Sequence, residues 1–91
     1  MLKKNKKQKL IDKFKTHDTD TGSPQVQIAI LTEEVKELTK HLREHKKDFS
    51  SRRGLVKKVT ERRRLMRYLK REDKKAYEKL VVDLKIRPLS E

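Results

Sequence analysis

The sequence contains no cysteine, so it can form no disulfide and offers no thiolate metal site. Glycine and proline occur only twice each in 91 residues, too few for a turn-rich β fold. No apolar run approaches the ~18 residues needed to cross a bilayer. The lysine-rich start lacks the apolar stretch of a signal peptide. These absences together lead to the expectation of a cytoplasmic protein. There is no glycine-rich phosphate loop and no HExxH signature, which removes the commonest nucleotide and zinc-hydrolase motifs.

What is abundant is charge. Charged residues make up 45% of the chain and hydrophobic residues 32%, so the core is expected to be thin, one apolar stripe per helix. Lys, Glu, Leu and Arg dominate and favour helix. The length suits one domain, taken as residues 1–91. Lys and Arg number 27 against 14 Asp and Glu, a net charge of +13. An excess this large repels itself in a compact fold unless a polyanion neutralises it. Nucleic acid is the first candidate and an acidic membrane surface the second. The excess sits in two places: residues 1–15 carry +6 and residues 48–71 carry +8.

The hydrophobic spacing predicts four helices. Ile28, Leu31, Val35, Leu38 and Leu42 recur at intervals of three and four, which aligns them on one stripe of the second helix. Ser23 suits its N-cap and Pro24 its first turn. A third helix is expected from about Ser51 to Arg71, with Leu55, Val59, Met66 and Leu69 inward. Arg62 stands where one more apolar residue belongs, and Val56 and Leu65 widen the stripe. A fourth begins at Asp73, buries Tyr77, Leu80, Val81 and Leu84, and ends at Pro88. The first spans roughly Lys4 to Lys15, opens with an Asn5/Gln8 capping box, and is expected to dock loosely and move because its apolar content is only Leu10, Ile11 and Phe14. Short joints at Lys46–Ser50 and Glu72–Asp73 make the later helices antiparallel neighbours. A polar joint, residues 17–22, precedes the second helix, and residues 88–91 form a C-terminal tail.

Enzymatic chemistry finds little support. His41 and His45 are four apart, a zinc-compatible spacing to which Asp48 could add a third ligand. The plainer reading is two polar residues on a wet helix end, and no cofactor or metal is expected. Ser50 and Ser51 lie near His45, but a nucleophile also needs an oriented base and an oxyanion site in a pocket, which a thin helical stack does not provide. The chain is therefore not expected to be an enzyme.

A nucleic-acid surface fits better. Ser51-Arg52-Arg53-Gly54 opens the third helix, where backbone N–H groups can hold a phosphate. Arg63, Arg64 and Arg67 extend the basic face along it. Tyr68, flanked by Arg67, Lys70 and Arg71, reads as a base-stacking or hydrogen-bonding residue or, alternatively, as the edge of the core. Thr21, Gly22, Ser23, Gln25 and Gln27 supply neutral hydrogen-bonding groups and a backbone open to close approach.

Four ordered blocks carry a resemblance. They are Asp20-Thr21-Gly22-Ser23-Pro24-Gln25-Val26-Gln27-Ile28-Ala29, His41-Leu42-Arg43-Glu44-His45-Lys46-Lys47-Asp48, Ser51-Arg52-Arg53-Gly54-Leu55 and Arg62-Arg63-Arg64-Leu65-Met66-Arg67-Tyr68-Leu69-Lys70. From Ile11 to Arg87 the chain resembles the bacterial-type family of small-subunit ribosomal protein fifteen. The resemblance implies an all-α fold of four helices, the last three packed together and the first mobile. It implies binding to a three-way junction of small-subunit rRNA, early assembly of the platform, and a bridge to large-subunit rRNA. Neighbouring platform proteins would be met only indirectly, some members repress their own mRNA, and the free protein would be a monomer. Carried onto this sequence, the junction contacts fall on Thr21, Gly22, Gln27, Tyr68 and Arg71, and the minor-groove contacts on His41, Asp48 and Ser51. Arg52, Arg53, Arg63, Arg64 and Arg67 are left as weaker phosphate contacts. Asp48 either accepts from a base amino group or a 2′-hydroxyl, or fixes His41. Glu34 stands where members often carry Arg or Gln, and Leu84-Lys85-Ile86-Arg87 lacks their usual glycine.

Two other classes compete. A DNA-architectural protein is also small and basic, but no exposed arm carries an apolar wedge and no DNA-reading helix-turn-helix is recognisable. A protein–protein adaptor using the mixed-charge face of the second helix would not give a steep salt dependence with RNA.

Overall fold

The computed structural model describes residues 4–14 and 23–89. Four helices follow in order: α1 Lys4–Phe14, α2 Pro24–Glu44, α3 Phe49–Glu72 and α4 Lys74–Leu84. Among the described residues there is no strand. The all-α expectation is met, and the polar joint before α2, with Thr21 and Gly22, lies outside the described residues.

α2 begins as the sequence indicates. Ser23 sits in extended backbone and its hydroxyl accepts from the Val26 amide at 3.3 Å, while Pro24 fills the first turn. α2 lies at the centre and touches α1, α3 and α4. It runs antiparallel to α3: His41 meets Asp48 and Ser51 at one end, Glu34 pairs with Lys58 further along, and Thr32 meets Arg62 beyond that. Glu34 and Lys58 approach to 3.3 Å across the two helices, so this carboxylate is spent inside the fold.

In the main core cluster Ile28 and Ala29 of α2 meet Met66 and Leu69 of α3 and Tyr77, Leu80 and Leu84 of α4, while Val26, Leu31 and Leu38 of α2 are buried beside it. The spacing of the second helix located Ile28, Leu31 and Leu38 correctly. It missed Val26, Ala29 and Thr32, which are buried because α2 is covered on more than one side. Thr32 is tolerated there because its hydroxyl donates to the Ile28 carbonyl at 2.7 Å. Val56 does not widen the stripe of α3. It is 60% exposed, about 100° around the helix from Leu55, where no neighbouring helix reaches.

Three end signals differ from the sequence expectation. Helix α3 starts at Phe49, two residues ahead of the expected Ser51, because Asp48 is its N-cap. The capping box of α1 does not form: Asn5 accepts from the Lys6 amide at 2.8 Å, and Gln8 turns forward to donate to Asp12 at 3.0 Å. Helix α4 ends at Leu84, ahead of Pro88, because Lys85 adopts the left-handed conformation at φ 54°. The Ile86 amide then donates to the Val81 carbonyl and the Lys85 amide to that of Val82, each at 3.2 Å. This is a Schellman turn built without glycine.

Helix α1 lies along α2. Leu10 packs at the edge of the core, and Lys6 reaches Glu33 and Glu37 at 3.3 and 3.4 Å. Those carboxylates hold the Lys6 ammonium above its ordinary pKa, the hydrogen bond to Glu33 acting most strongly.

Candidate nucleic-acid interface

Two groups of the sequence-selected residues are assembled at opposite ends of the α2–α3 pair. The first lies at the turn between the helices, residues 45–48. His41 Nε2 donates to Asp48 Oδ2 at 2.8 Å, the Ser51 hydroxyl donates to the same oxygen at 2.7 Å, and the Ser51 amide donates to Oδ1 at 3.1 Å. Asp48 therefore fixes His41, one of the two roles left open for it, and caps α3 with its other oxygen. These donors hold its carboxyl well below the usual carboxylate range, His41 first and Ser51 after it. The three residues remain partly open to solvent.

This geometry alters the reading of the Ser51-Arg52-Arg53 segment. The Ser51 amide is taken by Asp48, and the Arg52 amide donates to the Asp48 carbonyl at 3.2 Å. The start of α3 is thus already satisfied from within and does not offer those N–H groups to a phosphate. Arg52 instead donates through Nη2 to the Lys46 carbonyl at 2.9 Å and lies 5.9 Å from the Phe49 ring centre. Arg53 reaches the Ser50 hydroxyl at 3.5 Å. The His41 and His45 rings are 4.6 Å apart, and Nε2 of His41 is engaged by Asp48. Among the described residues no set of three His, Cys, Asp or Glu is arranged to hold a metal ion.

The second group lies toward the other end of α3. Tyr68 is 47% exposed, so it is not the edge of the core. The Arg71 guanidinium lies 5.7 Å from its ring centre, and Arg71 Nε donates to Glu72 at 3.2 Å. Arg63, Arg64 and Arg67 are exposed on the same helix. Gln27 is exposed at the start of α2, and the antiparallel register sets it level with the Met66–Tyr68 stretch. Thr21 and Gly22 fall outside the described residues. From Ser51 to Tyr68 the helical rise separates the two groups by about 25 Å.

One feature was not read as functional from the sequence. Arg62, half-buried, reaches the Thr32 hydroxyl only at 3.5 Å, and its Nε is buried without a hydrogen-bond partner. Burial, and then the charge of Arg63, lowers its pKa. The signal available was an arginine at an inward position of an apolar stripe.

Comparison with known proteins gives a consistent result. The family model described as Ribosomal protein S15 matches residues 6–87. The small ribosomal subunit protein uS15 of Heliobacterium modesticaldum is 58% identical over 82 residues, covering 90% of this chain and 92% of that protein. Its counterpart in Caldanaerobacter subterraneus subsp. tengcongensis is 54% identical over 87 residues, 96% of this chain and 99% of the relative. That of Desulforudis audaxviator is 55% identical over 86 residues, 94% and 97%. With the family model spanning most of the sequence and such relatives aligned nearly end to end, the chain belongs to the ribosomal protein S15 family.

Proposed function

We propose that this protein binds small-subunit rRNA directly at a three-way helical junction, holds its arms in one arrangement during platform assembly, and touches large-subunit rRNA across the subunit interface. As a member of its family it is a structural constituent of the small ribosomal subunit in the cytoplasm, not an enzyme. The observation that carries the finer reading is the pair of contact groups fixed about 25 Å apart on one antiparallel helix pair. Two sites on one rigid support can clamp two RNA elements at a set separation, whereas a generic basic surface cannot.

The chemistry of each end supports the division of labour. With Nε2–H committed to Asp48, His41 offers Nδ1 as an acceptor whenever the ring carries a single proton, and Ser51, whose O–H donates to Asp48, presents oxygen lone pairs. Such acceptors suit 2′-hydroxyls and guanine amino groups of a shallow minor groove. At the other end Tyr68 offers a ring for an unstacked base, Arg71 a cation beside it and Gln27 a neutral partner, to which the family resemblance adds Thr21 and Gly22. Exposed arginines on α3 add phosphate contacts. Binding to its own mRNA, which would have to imitate the junction, and indirect contact with neighbouring platform proteins belong to the same proposal.

The test is a binding isotherm with a small-subunit three-way junction beside the same RNA lacking one arm. Tight binding that disappears with the arm is expected. Equal affinity for both would reduce the protein to a polyanion binder, and equal affinity for duplex DNA at the same salt would favour an architectural role instead.

A further inference from the structure

The C-terminal segment after α4 is folded back onto α3. The Schellman turn at Lys85 reverses the chain, Ile86 and Leu89 pack against the core, and the Leu89 amide donates to the Tyr77 hydroxyl at 2.7 Å. Between this returning segment and α3 lies a cleft of about 450 Å³. Arg62, Arg63 and Arg67 line it from the helix and Arg87 from the tail, with Met66 and Pro88 among its apolar walls. No carboxylate among the described residues lines it.

Four guanidinium groups around one small cleft repel one another. The one most removed from water, Arg62, has a buried Nε with no partner. A buried donor without an acceptor is costly, and an isolated charge more so. Burial, and then the neighbouring charge of Arg63, lowers the pKa of Arg62, which is the same unfavourable placement expressed in its charge. An anion with several acceptor oxygens would relieve all of it at once, since arginine forks match phosphate oxygens in geometry and charge.

We infer that the cleft between α3 and the C-terminal segment is a phosphate-binding site, formed by Arg62, Arg63 and Arg87 with Arg67 at its rim, that takes a backbone phosphate of the bound RNA. It joins Arg62 and Arg87, neither given a role above, to Arg63 and Arg67 of the basic face of α3, and gives the segment after α4 a function. It rests on the RNA-binding reading above.

Arg87 is exposed and can be changed without disturbing the core. For Arg87→Gln, with helical content checked by circular dichroism, the slope of log affinity against log salt should flatten by ~0.7–0.9 for each phosphate the variant no longer neutralises, with several-fold weaker binding at physiological salt. Lys79→Gln, an equal loss of charge on the exposed side of α4, should leave the slope unchanged. If Arg87→Gln does not fold, Arg62→Met, which puts an apolar side chain at that inward position of α3 and removes the buried guanidinium, reads the same quantity. An unaltered slope and affinity in the folded variant would overturn the inference. Titration with inorganic phosphate, followed at the Arg62 Nε–H resonance, should give a saturable shift in the wild type that is absent from Arg87→Gln. A saturable shift with no change in RNA slope would mean that the site takes free phosphate rather than RNA, and would also overturn it. Failure of the wild type to prefer the junction would count against the junction reading alone, because the slope comparison can be made on any RNA.

Discussion

At the scale of single residues, Asp48 and Tyr68 carry the clearest expectations. Asp48 accepts three hydrogen bonds, and its folded carboxyl gives up its proton far more readily than an unfolded one. Its stabilisation is therefore complete above the ordinary carboxylate range and is lost as pH falls through the depressed folded value. The stability difference between the wild type and Asp48→Asn should be present at neutral pH and shrink progressively as pH falls below about 4. Urea melts across pH measure this, and a difference that vanished near neutrality would show that the carboxylate charge does not contribute. Tyr68 is half out of the fold, so Tyr68→Ala should leave melting temperature and helical signal unchanged. It should weaken junction binding by ~10–100-fold, the usual cost of removing a base–aromatic stack. A fall in helical signal would place the ring in the core after all.

At the scale of elements, helix ends explain what the sequence revealed and what it concealed. Ser23-Pro24 and Asp73 were legible because each signal is local and uncontested. The start of α3 was not, because Asp48, Ser50 and Ser51 can all cap a helix and only the reach of His41 across the turn favours Asp48. The Arg62 cleft was out of reach for another reason: it needs Arg87 beside α3, which depends on a left-handed Lys85 that no residue preference foretells. That left-handed lysine is also a weakness. Lys85→Gly should stabilise the fold by about 1 kcal/mol, since glycine adopts this conformation without Cβ crowding. Thermal melts would detect it, and no gain would mean that the lysine side chain offsets the strain. Helix α1 is fastened by Leu10 and by the exposed Lys6 ion pairs, which are individually weak. Removing residues 1–15 should leave most junction affinity intact, and a large drop in the same isotherm would bring the N-terminal lysines into the specific site.

At the scale of the whole molecule, the balance is between net repulsion and a few surface pairs. The chain carries +13, and inter-helix ion pairs among the described residues, such as Lys6 with Glu33 and Glu37 and Lys58 with Glu34, are partly exposed. Salt weakens both effects, but a charge excess of this size should outweigh pairs worth about 0–1 kcal/mol each. The melting temperature of the free protein should therefore rise from about 10 mM to about 500 mM sodium chloride, by which point the screening length is only a few ångströms. A fall would mean that the ion pairs dominate.

The molecule is a plate of 39 × 34 × 18 Å, and two of its joints are very short. Asp73 alone separates α3 from α4: its amide donates back to the Leu69 carbonyl at 2.7 Å, and its carboxylate accepts from the Ala76 amide at 3.1 Å. With four residues at one joint and one at the other, the packing partners of α2, α3 and α4 are near neighbours along the chain. Closing such loops costs little entropy, and helical domains with mostly local contacts fold in microseconds to milliseconds. A polypeptide leaving the ribosome would thus be a finished binding surface almost as soon as its last helix emerged, well within the time taken to add a single further amino acid at ~5–20 residues per second.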